Sequence, residues 1–293
     1  MRVCRLCWSW FPVVLVLAAV SSCQQPKPET ASTQPAPAYA ARFDANWAQH
    51  KLWDDGLAEV ATYEAERVIY QKPRAFELTM ITVKEDFNRA FDVKTDDYQR
   101  PDLFPVMKVN QFCRIPTDNY PYHFLTSLFF PRAAPAHLHK LTTSSQEWCG
   151  TTFKAIGEGN GSGYQLAFNS YWDQQGVGSY DLPNGVLFED ALPYTLRSLT
   201  AADTSAFEAP VVELQQTSKA TRPVVYQARI SQQLEAPSED GSRRQRVTVH
   251  LAPGKANEYV FAADYPNLLQ EQHTWDGRTL RLKSVRRFAY WQH

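Results

Sequence analysis

The chain has no stripe of lysine and arginine, no repeat of fixed period, few cysteines and no apolar run long enough for a comfortable membrane helix. Spanning a bilayer takes about 20 consecutive apolar residues, and the run from Trp8 to Val20 falls short of that. The missing basic stripe argues against a nucleic-acid partner. The nearest candidate, Ser242-Arg243-Arg244-Gln245-Arg246, directly follows Glu239-Asp240-Gly241 and reads as a solvated hairpin tip. The lack of a fixed period argues against a propeller or solenoid. G-x-S-x-G is absent, as are H-E-x-x-H and H-x-x-E-H, which removes the usual serine-hydrolase and zinc-protease signatures. The glycine run Gly157 to Gly163 lacks the lysine and the following helix of a phosphate loop, so it reads as a hairpin connection.

What is present begins with an export signal over residues 1–22. Arg2 and Arg5 supply the positive start, and Trp8 to Val20 the apolar stretch. Val20-Ser21-Ser22-Cys23 resembles the lipobox of bacterial lipoproteins, which implies cleavage before Cys23, acylation of its thiol and attachment to a membrane. Gln24 and Gln25 lack the aspartate that marks inner-membrane retention in many Gram-negative lipoproteins, so the outer membrane is favoured. Residues 23–45 are rich in Pro, Ala, Thr and Gln without apolar periodicity and read as a flexible tether. Residues 46–293 form one β-rich domain. Losing Arg2 and Arg5 from the 30 basic residues leaves 28 against 31 acidic, a mature charge of about -3.

Within the domain, Asn46 to Gly56 reads as a short helical or irregular cap with Trp47 and Trp53 as packing anchors. The apolar spacing then changes to two. From Glu59 to Gln71, Ala61, Tyr63, Ala65, Arg67 and Ile69 share one face and Val60, Thr62, Glu64, Glu66, Val68 and Tyr70 the other, the signature of a half-buried strand. Lys72-Pro73-Arg74 reads as a break. Further strands are expected over 75–87, 106–115, 122–130, 138–149, 151–156, 164–172, 210–216, 224–234, 246–252, 258–263 and 279–291. Asp190 to Leu199 breaks this rhythm with Leu192, Leu196 and Leu199 at helical spacing, Asp190 as its cap and Pro193 in its first turn. The expected fold is mainly β: an antiparallel open or half-closed barrel of about a dozen strands, with one short helix covering the sheet.

The stretches Asp190 to Leu199 (DALPYTLRSL) and Trp275 to Lys283 (WDGRTLRLK), the closing Tyr290-Trp291 and Thr143 to Gly150 (TSSQEWCG) carry a resemblance. Together they resemble a group of uncharacterised Gram-negative lipoproteins, related in pattern to a periplasmic antiparallel half-barrel domain of unknown function. The likeness covers about residues 50–293. It implies a fold and brings no catalytic residues.

Of the five cysteines, Cys4 and Cys7 leave with the signal and Cys23 accepts the lipid. Cys113 and Cys149 remain, in a compartment that permits a disulfide between them. Cys149 as a nucleophile lacks a histidine within two residues, and alternation along its strand puts Thr143, Ser145 and Glu147 on its face. His137-x-His139 points two imidazoles the same way, with His123 as the one plausible addition, but a metal site needs a third ligand. The acidic pairs Asp54-Asp55, Glu85-Asp86, Asp96-Asp97 and Glu189-Asp190 read as solvated turn or edge residues. The 8 Trp, 14 Tyr and 16 Phe, among them Phe124, Phe129, Phe130, Tyr164, Phe168, Tyr171 and Trp172, line a concave apolar face or fill the core.

These readings lead to a lipid-anchored envelope protein that binds or scaffolds an apolar ligand or an envelope partner, with no catalytic residues, metal or cofactor expected. The alternative is an envelope hydrolase that uses Cys149 or a His137/His139 metal site.

Overall fold

The computed structural model describes residues 36–159, 163–200, 204–237 and 241–292. The signal, Cys23 and most of the tether lie outside the described residues, as do the tip of the glycine loop and the Glu239-Asp240 pair.

The described residues form sixteen strands: β1 (Ala58–Ile69), β2 (Lys72–Asn88), β3 (Val93–Lys94), β4 (Leu103–Ile115), β5 (Tyr122–Pro131), β6 (Lys140–Glu147), β7 (Gly150–Glu158), β8 (Gly163–Ser170), β9 (Val177–Pro183), β10 (Leu187–Phe188), β11 (Phe207–Val212), β12 (Val225–Leu234), β13 (Arg244–Ala252), β14 (Lys255–Ala262), β15 (Leu269–His273) and β16 (Thr279–Phe288). A single helical turn, α1 (Leu192–Thr195), sits between 3-10 turns at Glu189–Ala191 and Leu196–Ser198. All the strands belong to one sheet. β1 to β9, with β3 pairing only with β2, form one meander and β11 to β16 another; β10 adds to β11, and β16 pairs with β1 to join the two. Every neighbouring pair is antiparallel except β10 and β11. The sheet is not closed: β9 and β10, consecutive in the chain, end its two edges.

Four strands had escaped the sequence reading, namely β3, β9, β10 and β15. β3 and β10 are two residues long, too short for any period to register, and β9 carries mostly exposed residues. The β1–β2 connection is also tighter than expected. The turn is Tyr70-Gln71, both with positive φ (53° and 61°), as a two-residue type I′ hairpin requires. Lys72-Pro73-Arg74 is therefore inside β2. It tolerates Pro73 because β4 stops pairing with β2 at Leu78, which leaves the proline at a free edge.

One face of the sheet surrounds the segment that bears α1. Every residue from Val186 to Leu199 is buried, so the predicted amphipathic cover is a plug with no solvated side. Its contacts come from strands far apart in the sheet: Phe130 of β5 packs on Tyr194, Tyr164 of β8 on Phe188, and Gln111 of β4 donates to the Asp190 carbonyl at 2.9 Å. Trp47 and Trp53, in 3-10 turns, are buried anchors as expected; Arg197 lies over both rings. The core also takes in Tyr39 and Phe43, from the stretch whose composition had read as tether.

Of the aromatics singled out, Phe124, Phe130, Tyr164 and Phe168 are core, Phe129 packs half-buried on Phe87, and Tyr171 is exposed. The four core rings fill the inner face of the sheet, whereas Phe129 falls on the opposite face of β5. Among the described residues no helix is long and apolar enough to cross a membrane.

Candidate functional site

Period-two alternation on β1 places Arg67 on the inward face behind Ala61, Tyr63 and Ala65, at the end of an apolar stripe. On β7 the same rule turns Ile156, Lys154 and Thr152 inward and leaves Phe153 exposed. Lys154 is only 2% exposed. A cation in so dry a place needs partners, and those available come from the loop after β11. Lys154 Nζ donates to the Gln215 carbonyl at 2.8 Å and to Thr217 Oγ1 at 2.9 Å. Arg67 Nη1 donates to the Gln216 carbonyl at 3.0 Å, and its guanidinium lies 5.2 Å from the Phe124 ring centroid.

Asp190 holds the other side of that loop. Its carboxylate accepts the backbone N–H of Gln215 (2.8 Å) and of Gln216 (2.9 Å). The two peptide units are thus clamped, amides on a carboxylate and carbonyls on two cations. This corrects two expectations. Asp190 makes no cap hydrogen bond to the helix, and the Glu189-Asp190 pair is buried. Glu189 bonds Arg278 and accepts from Asn257 at 3.1 Å and from the Leu214 amide at 3.2 Å. The reason is the same for both residues: donors from the loop, joined at Glu189 by Arg278 and Asn257, offset their desolvation.

Between this loop, the Tyr70-Gln71 turn and β5 lies an open cleft of about 410 Å³, lined by the charged Arg67, Lys154 and Glu213 and by the rings of Tyr70, Tyr122 and Phe124. Burial and the field of Arg278 hold the Arg67 guanidinium down at about 10. The Lys154 ammonium is pushed down to about 8, first by burial, with Asp190 and Glu213 pulling the other way. Among the described residues, no carboxylate makes an ion pair with either cation. The phenols of Tyr70 and Tyr122 share a short hydrogen bond, held by a turn whose two positive φ angles fall on non-glycine residues, a conformation that costs energy. From there an aromatic row runs outward, Phe124 to Tyr122 (6.2 Å), Tyr122 to Tyr120 (5.9 Å) and Tyr120 to Trp148 (5.9 Å) between ring centroids.

This row explains TSSQEWCG. Trp148 and Cys149 do not continue a strand face as expected. They form the turn between β6 and β7, which are in register at Glu147 and Gly150. Trp148 is 79% exposed, and the Cys149 thiol shares a 3.0 Å hydrogen bond with the Tyr120 hydroxyl. The glycine is required because a Cβ at position 150 would fall 2.3 Å from Cγ of Tyr171. Thr143 and Ser145 are buried, and Ser145 Oγ and Glu147 Oε2 have no partner. Burial raises the Glu147 carboxyl, with Tyr122 beside it acting in opposition.

The remaining candidates do not converge. Cys113 and Cys149 are both free thiols, Cys113 buried on β4 and Cys149 exposed at the turn, so the bridge is not formed here. His137 bonds Glu158 (2.6 Å) and His139 bonds Asp92 (2.5 Å). His123 is exposed on β5. No group of three His, Cys, Asp or Glu able to hold a metal occurs among the described residues. The basic stretch after residue 241 opens β13, where Arg244 pairs with Glu235 (2.9 Å) and Arg246 with Glu235 (2.6 Å) and Glu258 (3.0 Å).

Sequence reasoning missed Lys154 and the role of Arg67. The signal was alternation itself: both fall in step with inward apolar residues, and Arg67 had already been placed on that face. Chemically, the cleft offers two cations, phenols and aromatic rings, with the Thr217 hydroxyl 2.9 Å from the Lys154 amine.

No family model matches the chain, and no curated protein matches it. Among solved structures, a DUF1089 family protein from Pseudomonas aeruginosa matches with a TM-score of 0.32 and 14% identity, over 64% of this chain and 86% of that one.

Proposed function

We propose that this is a lipid-anchored cell-envelope protein that acts by binding, and that its ligand or partner segment seats in the cleft beside Arg67 and Lys154. In this reading Cys23 carries the lipid, the outer membrane is the favoured site of attachment, and the chain belongs with the uncharacterised Gram-negative lipoproteins it resembles. The burial of Val186 to Leu199 on all sides supports a sheet curved into a half-closed barrel around its plug. That filling leaves little room inside for a large apolar guest.

The observation that carries the binding role is the cleft itself. Its volume of about 410 Å³ lies in the range of small-molecule sites, and a strained turn, two cations and three aromatic rings converge on it. The test is mass spectrometry of the lipids, small molecules and proteins that copurify with the detergent-extracted native form. A bound species in stoichiometric amount is expected. An empty preparation, repeated from cells in several growth conditions, counts against the role.

A further inference from the structure

We infer that the cleft binds the acid group of an amphiphilic ligand, a carboxylate or phosphate ester on an apolar body, with Arg67 and Lys154 as the acid-binding residues. This rests on the binding role proposed above and narrows it to a ligand class.

The loop leaves both cations with unused donors. An ammonium has three and a guanidinium five. Lys154 spends two on Gln215 and Thr217, and Arg67 spends one on Gln216. Carbonyl and hydroxyl oxygens satisfy hydrogen bonds without supplying the full counter-charge that a desolvated cation requires. The charged groups around the pair do not make up the difference by contact. Glu213 lines the cleft, but its Oε1 accepts the Val224 amide at 2.9 Å. Asp190 is committed to two amides behind the loop, and Asp276 pairs with Arg278 at 3.0 Å. Lys219 adds a third cation at the exposed rim.

An incoming acid would meet positive charge and apolar surface in the same cleft. Phe124 backs Arg67, and Val68, Ile69 and Leu214 complete the lining. In so dry a setting a charge-assisted hydrogen bond is about twice as strong as a neutral one. Arg67 presents a planar fork that suits the two oxygens of a carboxylate or phosphate. Ser145 Oγ, buried and unpartnered, is the register neighbour of Phe124 and marks unmet polar capacity in the wall behind the site.

The test is calorimetric titration of the full-length protein in nanodiscs with 4-phenylbutyrate, 4-phenylbutyl phosphate and the neutral 4-phenylbutanol. Both acids are expected to bind at least about tenfold more tightly than the alcohol, and the stronger of the two identifies the head group. Because Arg67 and Lys154 also hold the loop, the variant of choice is Thr221→Glu, on the exposed rim. It leaves every clamp contact in place and should weaken the acids by about fivefold with the alcohol unchanged. Equal binding of acid and alcohol overturns the acid inference while leaving a binding cleft intact. Binding of none of the three overturns both.

Discussion

Arg197 and Glu59 form a two-pronged ion pair, Nη1 to Oε1 at 2.8 Å and Nη2 to Oε2 at 3.0 Å, with side chains only 2% and 5% exposed. The pair ties the plug to β1, and Arg197 Nε also donates to the Pro266 carbonyl at 2.9 Å. Removing one partner strands a buried charge. Arg197→Met or Glu59→Leu alone should therefore cost roughly 3–5 kcal/mol in urea unfolding. The double variant should recover much of that loss, since a buried pair replaced by apolar groups of similar size is often neutral. Additive single costs would show that the two side chains are not coupled.

Asp190 organises the cleft from behind. In Asp190→Ala, the amides of Gln215 and Gln216 lose their acceptor, at about 1–3 kcal/mol for each donor left unsatisfied. Those amides should exchange faster with solvent in the variant than in wild type. Unchanged exchange there would contradict the clamp.

Lys154 gives the protein a distinct alkaline response. Its folded-state pKa of about 8 lies below the ordinary lysine value of 10.5, so between these values the unfolded chain binds more protons and stability rises with pH. The contribution is of order 3 kcal/mol across the window. Cys113 acts in the opposite sense: burial pushes its thiol up to about 12 from 9.0, so the unfolded chain loses that proton first and stability falls with pH. The difference between wild type and Lys154→Met isolates the lysine. Wild type should gain stability relative to the variant from pH 8 to 10.5, and parallel curves would count against a buried ammonium.

The two thiols separate by reactivity. Iodoacetamide at pH 8 should alkylate Cys149 in the native protein and reach Cys113 only after unfolding, because burial keeps the latter protonated and covered. Protection of both until a reductant is added would instead demonstrate a bridge.

Much of the sheet was legible because its strands alternate cleanly. Ala61, Tyr63 and Ala65 on β1 and Leu166 and Phe168 on β8 repeat every second residue and are buried as that repeat requires. Short or exposed elements such as β3, β9 and β10 carry no such signal. The acidic pair Glu189-Asp190 looked like every other acidic pair, because local sequence does not reveal that Arg278 and the 214–216 amides arrive from elsewhere in the chain. The same non-locality hid the cleft. Arg67, Lys154 and Gln215 lie on three separate elements, and only the meander of β1 to β8 and the plug bring them together. The EWCG motif drew attention for its cysteine, whereas its tryptophan ends the aromatic row and its glycine admits Tyr171.

The central claim is that ligand seats between the loop after β11 and the Tyr70-Gln71 turn. Hydrogen exchange of the full-length protein with and without 4-phenylbutyrate tests it most directly. Exchange should slow in residues 213–221 and at the β1–β2 turn, with the outer edge strand β9 unaffected. Unchanged exchange in both segments at saturating acid, or slowing confined to another part of the sheet, would contradict the account.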